Sequence, residues 1–223
     1  MISIVGIGPG DINYISNIAI QKILNADVLI GGKRHLDLFK DLKGKEFISY
    51  NSNLDLGKLL QNYSPEKKIV FLASGDPLLH GIFSVISKHV DKSLIEVIPG
   101  ISAIQYLCSK VKVSADNLIT LSLHGKKLTE EFIQEMLFLL KKYGKIAVLT
   151  DSVNTPKKIV NEMLKNNDFT DFLNSYSNKI KLYIGEDLSY KNEKIYEFKF
   201  QDFLIFPSDF SNLVTILITL GER

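Results

Sequence analysis

The sequence predicts an α/β protein of two domains, the first on a mostly parallel, doubly wound sheet and the second on a mixed sheet. Three observations predict this. From residue 2 to about 113, short β-branched runs alternate with helical patterns, which is the signature of βαβ units. Past "VKVSADN" the rhythm changes, so a boundary is expected near residues 112–117, giving domains 1–113 and 114–223. The chain then closes on "EKIYEFKF" and "NLVTILITL" with no room for a helix between them, and strands joined in that way are expected to pair antiparallel.

The strands predicted for the first domain are Ile2 to Val5, Val28 to Ile30, Phe47 to Tyr50, Ile69 to Ala73 and Ile95 to Ile98. Their near-continuous apolar runs suit strands covered on both faces. Between them, "YISNIAIQKILNA" is expected to place Ile15, Ile18, Ala19 and Ile23 on one helical face, and "GIFSVISKHV" does the same with Ile82, Val85 and Ile86. In the second domain, Leu118 to Leu123, Ile146 to Leu149 and Ile180 to Ile184 read as strands, with helices around Glu130 to Tyr143 and Thr155 to Asn166. The stretch "LKNNDFTDFLNSYSNK" is polar enough to predict a mobile helix end and loop.

Bulk properties exclude several classes. The chain has 223 residues, 45% hydrophobic and 23% charged, which suits a folded globular protein. It has no apolar run of about 18 residues and no charged leader before a hydrophobic stretch, so a cytoplasmic protein without a membrane partner is expected. Cys108 is the single cysteine, which excludes an internal disulfide; it reads as a packed thiol. The four histidines show no metal-ligand spacing, so no protein-held metal is expected. A formal net charge of +2, with no basic block, argues against a nucleic-acid partner.

Four turns carry the chemistry. "VGIGPGD" ends the first strand, but Asp11 stands where a dinucleotide fingerprint needs its third glycine, and no Gly-Lys-Ser/Thr follows to make a P-loop. "SGDPLLHG" interrupts a buried strand with Gly75, Asp76 and Pro77, at the strand end where open α/β sheets bind ligands. Asp76 offers an acceptor, and Leu78 and Leu79 offer an apolar flank. "IPGISAIQYL" runs from strand through turn to helix, with Ser102 placed as an N-cap. "SLHGKKL" carries His124 at a strand end, near neutral pKa by nature and so a candidate acid/base group. Lys33, Arg34 and Lys126 sit beside turns, where they suit an anionic small molecule.

In order and spacing, "VGIGPGD", "SGDPLLHG", "IPGISA" and "SLHGK" resemble the tetrapyrrole methylase family, S-adenosylmethionine-dependent C-methyltransferases of cobalamin and sirohaem synthesis. The resemblance covers the whole chain; "GGKRHL" and "LTDSVNTP" are most similar to its branch that methylates C5 of a corrinoid precursor. It implies two α/β domains with a cofactor cleft between them, S-adenosylmethionine as methyl donor with S-adenosylhomocysteine as product, a small tetrapyrrole or corrinoid substrate, and a homodimer. Bifunctional relatives carry an extra domain for C15 methylation and decarboxylation, so a separate C15 enzyme is expected beside this chain.

By the same resemblance, Pro9 lines the cofactor cleft, and Ser74, Gly75 and Asp76, followed by Leu79, meet the methionine and ribose parts. Ser102 and Ala103 form the pair at the next helix start, Leu149 or Thr150 lies at the strand end beneath the adenine, and Asp187 and Leu188 of "EDLS" close its side. Lys33, Arg34, His124 and Lys126 are expected to meet substrate carboxylates. Some relatives carry an aspartate just after the second strand as general base, but Gly32 stands there in this sequence. The resemblance therefore leaves proton removal unassigned; His124, a substrate-binding candidate, is also a catalytic candidate for it.

Overall fold

The computed structural model describes residues 2–51, 54–64, 66–176, 179–203, 205–206 and 209–221. The chain divides into two compact units, residues 1–102 and 103–223.

The first unit holds five strands: β1 (Ile2–Gly6), β2 (Val28–Gly31), β3 (Glu46–Ser49), β4 (Ile69–Ala73) and β5 (Ile95–Ile98). They form one parallel sheet in the order β3-β2-β4-β1-β5. Successive strand side chains point to opposite faces, and two cores result. Val5, Leu29, Val70 and Leu72 pack with Ala19 and Ile23 of α1 (Asn17–Leu24) and Leu36 of α2 (Lys33–Asp37). Ile4, Ile30 and Phe71 pack with Leu56 of α3 (Leu56–Gln61) and Ile86 of α4 (Phe83–Ile86). Both faces are covered, which is why the strands read as unbroken apolar runs. The chain leaves β1 toward one face and its neighbour β4 toward the other, so their carboxyl ends form a topological switch point.

The second unit contains β6 (Ile119–Ser122), β7 (Lys145–Leu149), β8 (Ile180–Glu186), β9 (Lys194–Lys199) and β10 (Val214–Leu220) in the order β6-β7-β10-β8-β9. β6 and β7 are parallel and the other pairs antiparallel, so the sheet is mixed as expected. Helices α5 (Ala103–Val111), α6 (Glu130–Tyr143), α7 (Pro156–Lys165), α8 (Asn167–Ser175) and α9 (Phe200–Phe203) accompany it. α6 has clear local reasons to form. The Thr129 hydroxyl accepts from the Phe132 N–H, Glu130 and Glu131 sit in its first turn and Lys141 and Lys142 in its last, and Gly144 ends it in a left-handed conformation.

Four expectations differ from the structure. Ile18 is 63% exposed, because the buried stripe of α1 runs through Ala19 and Ile23, four residues apart, and residue 18 lies about 100° from Ala19 around the helix. The last two strands do not pair with each other. β10 is buried almost throughout and takes a central place between β7 and β8, whereas β9, half exposed, takes the edge. The stretch expected as a mobile loop forms α8, whose polar residues cover an outer face while Phe169, Phe172 and Leu173 enter the core; positions 177 and 178 of that stretch lie outside the described residues. Finally, α5 packs on β10, so the division falls one helix before the expected boundary of 113/114. Cys108 on this helix is buried, and burial pushes its thiol pKa up. Among the described residues, no helix is long and apolar enough to cross a membrane.

Candidate functional site

In the first unit, the glycine turns after β1, β4 and β5 meet backbone to backbone. The Gly75 N–H donates to the Gly8 carbonyl at 2.9 Å, and both glycines adopt left-handed φ values, +61° and +74°. A Cβ at Gly6 would lie 2.6 Å from the Gly100 nitrogen and 2.7 Å from the Gly75 oxygen. No residue larger than glycine fits there without moving another backbone.

Asp76 fastens this junction. Its Oδ1 accepts from the Leu78 N–H at 2.8 Å and its Oδ2 from the Gly100 N–H at 3.2 Å. A carboxylate has about four acceptor positions, so it retains capacity toward a hydroxyl. Ser74 and Leu78 are exposed beside it, Leu79 is half-buried, and Pro9 and Ser102 are buried. At the end of β2, Lys33 is exposed, and Arg34 reaches across to donate from Nη2 to the Ser74 hydroxyl at 3.4 Å. The structure thus brings "GGKRHL" and "SGDP" together.

In the second unit, β6, β7 and β8 run in one direction and β10 against them, so the segments following those three strands gather at one end of the sheet. The loop carrying His124 and Lys126, both exposed, is held by "TDSVN". Asp151 Oδ2 accepts from the Gly125 N–H at 3.1 Å, and the buried Asn154 amide donates to the Leu123 and Lys126 carbonyls at 3.1 and 2.9 Å. Burial pushes the Asp151 carboxyl up, but N–H donation from Asn154, Gly125 and Val153, with His124 nearby, holds it below its ordinary range.

Thr150 commits its hydroxyl proton to the Val214 carbonyl at 2.8 Å, and Leu149 beside it is half-buried. Asp187 has a φ of +46° and accepts from the Ser211 hydroxyl at 3.0 Å and from the Asn192 amide. Leu188 is only 4% exposed and packs its side chain over Gly185. Ala103 opens α5 and is half-buried.

His35, Asp151 and Asn154, none of them a candidate from sequence, also belong to these turns. For the last two a signal existed: an Asp followed within three residues by Asn after a strand suits an Asx turn, and Asp151 Oδ1 does accept from the Val153 and Asn154 N–H groups. No local pattern marked His35.

Comparison with known proteins gives a consistent picture. The family described as Tetrapyrrole (Corrin/Porphyrin) Methylases matches residues 1–204. A probable cobalt-precorrin-7 C(5)-methyltransferase of Methanocaldococcus jannaschii is 36% identical over 199 residues, 87% of each chain. The cobalt-precorrin-7 C(5)-methyltransferase of Salmonella typhimurium is 33% identical over 198 residues, covering 88% of this chain and 89% of that one. Among solved structures, the methyltransferase CobJ superposes with a TM-score of 0.80 over 100% of this chain and 95% of its own, at 14% identity, a likeness of fold.

Proposed function

The chain belongs to the tetrapyrrole (corrin/porphyrin) methylase family, and from that premise we propose that it methylates C5 of cobalt-precorrin-7 in cobalamin biosynthesis, with S-adenosylmethionine as methyl donor. The observation that carries the donor assignment is the glycine junction at the switch point of the parallel sheet, where a Cβ at Gly6 or Gly100 would strike backbone. Its polar groups suit an amino acid joined to a ribose: the exposed Ser74 hydroxyl, the remaining lone pairs of Asp76, and Gly75, with Pro9, Leu79, Ser102 and Ala103 as further cofactor contacts. Leu149, Thr150, Asp187 and Leu188 are proposed for the adenine side. Thr150 and Leu188 would serve it through backbone and shape, since the Thr150 proton and the Leu188 side chain are engaged elsewhere.

When bound, the donor supplies an activated methyl group on a sulfonium, so the protein's main task is alignment. Lys33 and Arg34 in the first unit, and His124 and Lys126 in the second, are proposed to receive the acetate and propionate carboxylates of the substrate. His124, tethered in a loop held by Asp151 and Asn154, is the group proposed to take the proton lost from C5. A homodimer, a cytoplasmic location and a separate C15-methylating enzyme belong to the same reading; light scattering checks the first.

Calorimetric titration with S-adenosylhomocysteine, with NAD and ATP as controls, tests the donor site. One-to-one binding of S-adenosylhomocysteine alone is expected. A preference for NAD or ATP, or no binding at high micromolar concentration, would overturn the assignment.

A further inference from the structure

His35 is half-buried, but its Nδ1 atom is fully shielded from solvent, with the Leu72 backbone as its hydrogen-bonding neighbour. The ring lies on α2 against Gly32, where an added Cβ would sit 3.7 Å from Nδ1. Its other nitrogen, Nε2, is 3.1 Å from Nη2 of Arg34, and the same Nη2 reaches Ser74 Oγ at 3.4 Å. A guanidinium only donates, so Nε2 is the acceptor and the single ring proton sits on the buried Nδ1.

We propose that His35 is a positioning residue whose Nε2 holds the Arg34 guanidinium beside Ser74, turned to receive a carboxylate of the tetrapyrrole substrate. The proposal rests on the methyltransferase reading for the substrate's identity. The chemistry favours a histidine here. An arginine fork recognises a carboxylate in two parallel hydrogen bonds but hangs from a flexible stem. A neutral imidazole orients such a fork by accepting one of its N–H donors and adds no negative charge of its own. Burial first, and the adjacent Arg34 charge second, lower the His35 pKa to about 4, with only the Leu72 backbone opposing, so the acceptor persists at neutral pH.

The test uses uroporphyrin III, an octacarboxylate tetrapyrrole, whose binding is followed by its fluorescence at fixed ionic strength. The variants are His35→Gln, His35→Leu, Arg34→Ala and the His35→Leu/Arg34→Ala pair, with His35→Met as the second apolar variant if leucine unfolds the chain. His35→Leu is expected to weaken binding about five- to tenfold, and to add nothing once Arg34 is alanine. His35→Gln, which returns an acceptor near the place of Nε2, is expected to recover most of the loss. A ring that only filled space would be replaced by leucine at least as well as by glutamine. Leucine binding like wild type, losses that add in the double variant, or no uroporphyrin III binding by the wild type would overturn the proposal. S-adenosylhomocysteine titration of the wild type reads the methyltransferase assignment separately. Its failure beside the expected uroporphyrin pattern would remove that assignment and leave the His35 role standing.

Discussion

The carboxylate of Asp76 accepts the N–H of Gly100 at 3.2 Å, so one side chain joins two turns that lie 24 residues apart. The same carboxylate closes its own turn on Leu78, which makes it an architectural group as well as a candidate ligand contact. Weakened cofactor binding in Asp76→Ala would therefore report on the junction first.

Asp76→Ala removes an ionised acceptor from two backbone donors and should lower unfolding free energy by about 2–3 kcal/mol; Asp76→Asn, which keeps one acceptor oxygen, should cost about half as much. Urea denaturation measures both. An alanine variant as stable as wild type would show that the joint contributes nothing.

Gly100→Ala places a Cβ inside contact distance of the Gly75 oxygen and 2.8 Å from the Gly6 carbonyl carbon, and neither is the end of a flexible side chain. A loss of more than about 3 kcal/mol is expected, together with loss of S-adenosylhomocysteine binding. The contrasting case is Gly57 inside α3, where a Cβ meets only Asp55 and His89 side chains at 3.4 Å. Gly57→Ala should stabilise the chain by about 0.5–1 kcal/mol. Thermal melts of the two variants should move in opposite directions.

Asn154→Ala strips the donor from two carbonyls in the His124 loop and should destabilise by about 2 kcal/mol. Asn154→Asp should be worse, because it points negative oxygens at the same two carbonyls. Equal stability of the two variants would refute this account of the loop.

The His35 ring is neutral in the folded chain down to about pH 4 but titrates near 6.5 when unfolded. The unfolded state therefore binds more protons as pH falls through 6.5, and stability declines until pH reaches about 4, then levels. The groups bearing on this titration are the Arg34 charge and the Leu72 backbone. The full loss is on the order of 3 kcal/mol. His35→Gln should flatten the slope of unfolding free energy across that window, and a slope identical to wild type would exclude His35 as its source.

Much of the fold was legible because it depends on local pattern. The run from Ile69 to Ala73 announces a strand covered on both faces, and Gly75-Asp76-Pro77 announces where it stops. Adjacency along the chain suggests that β9 and β10 pair, but burial decides otherwise. Val214 to Thr219 have both faces covered, and that places β10 in the middle of the sheet. The polar letters around α8 hid Phe169, Phe172 and Leu173 at helical spacing.

By itself the sequence determined two α/β domains, the strand-end turns and the family they resemble, since these follow from periodicity, turn chemistry and the order of short motifs. Tertiary structure alone decided what those turns do to one another. Gly6 against Gly100, Asp76 with Gly100, Asn154 with Leu123, and Arg34 between His35 and Ser74 are mostly contacts between residues far apart in the chain. The physical reason is that hydrogen bonds and backbone contacts depend on distance in space, which strand order and register set and which no local pattern of residues encodes.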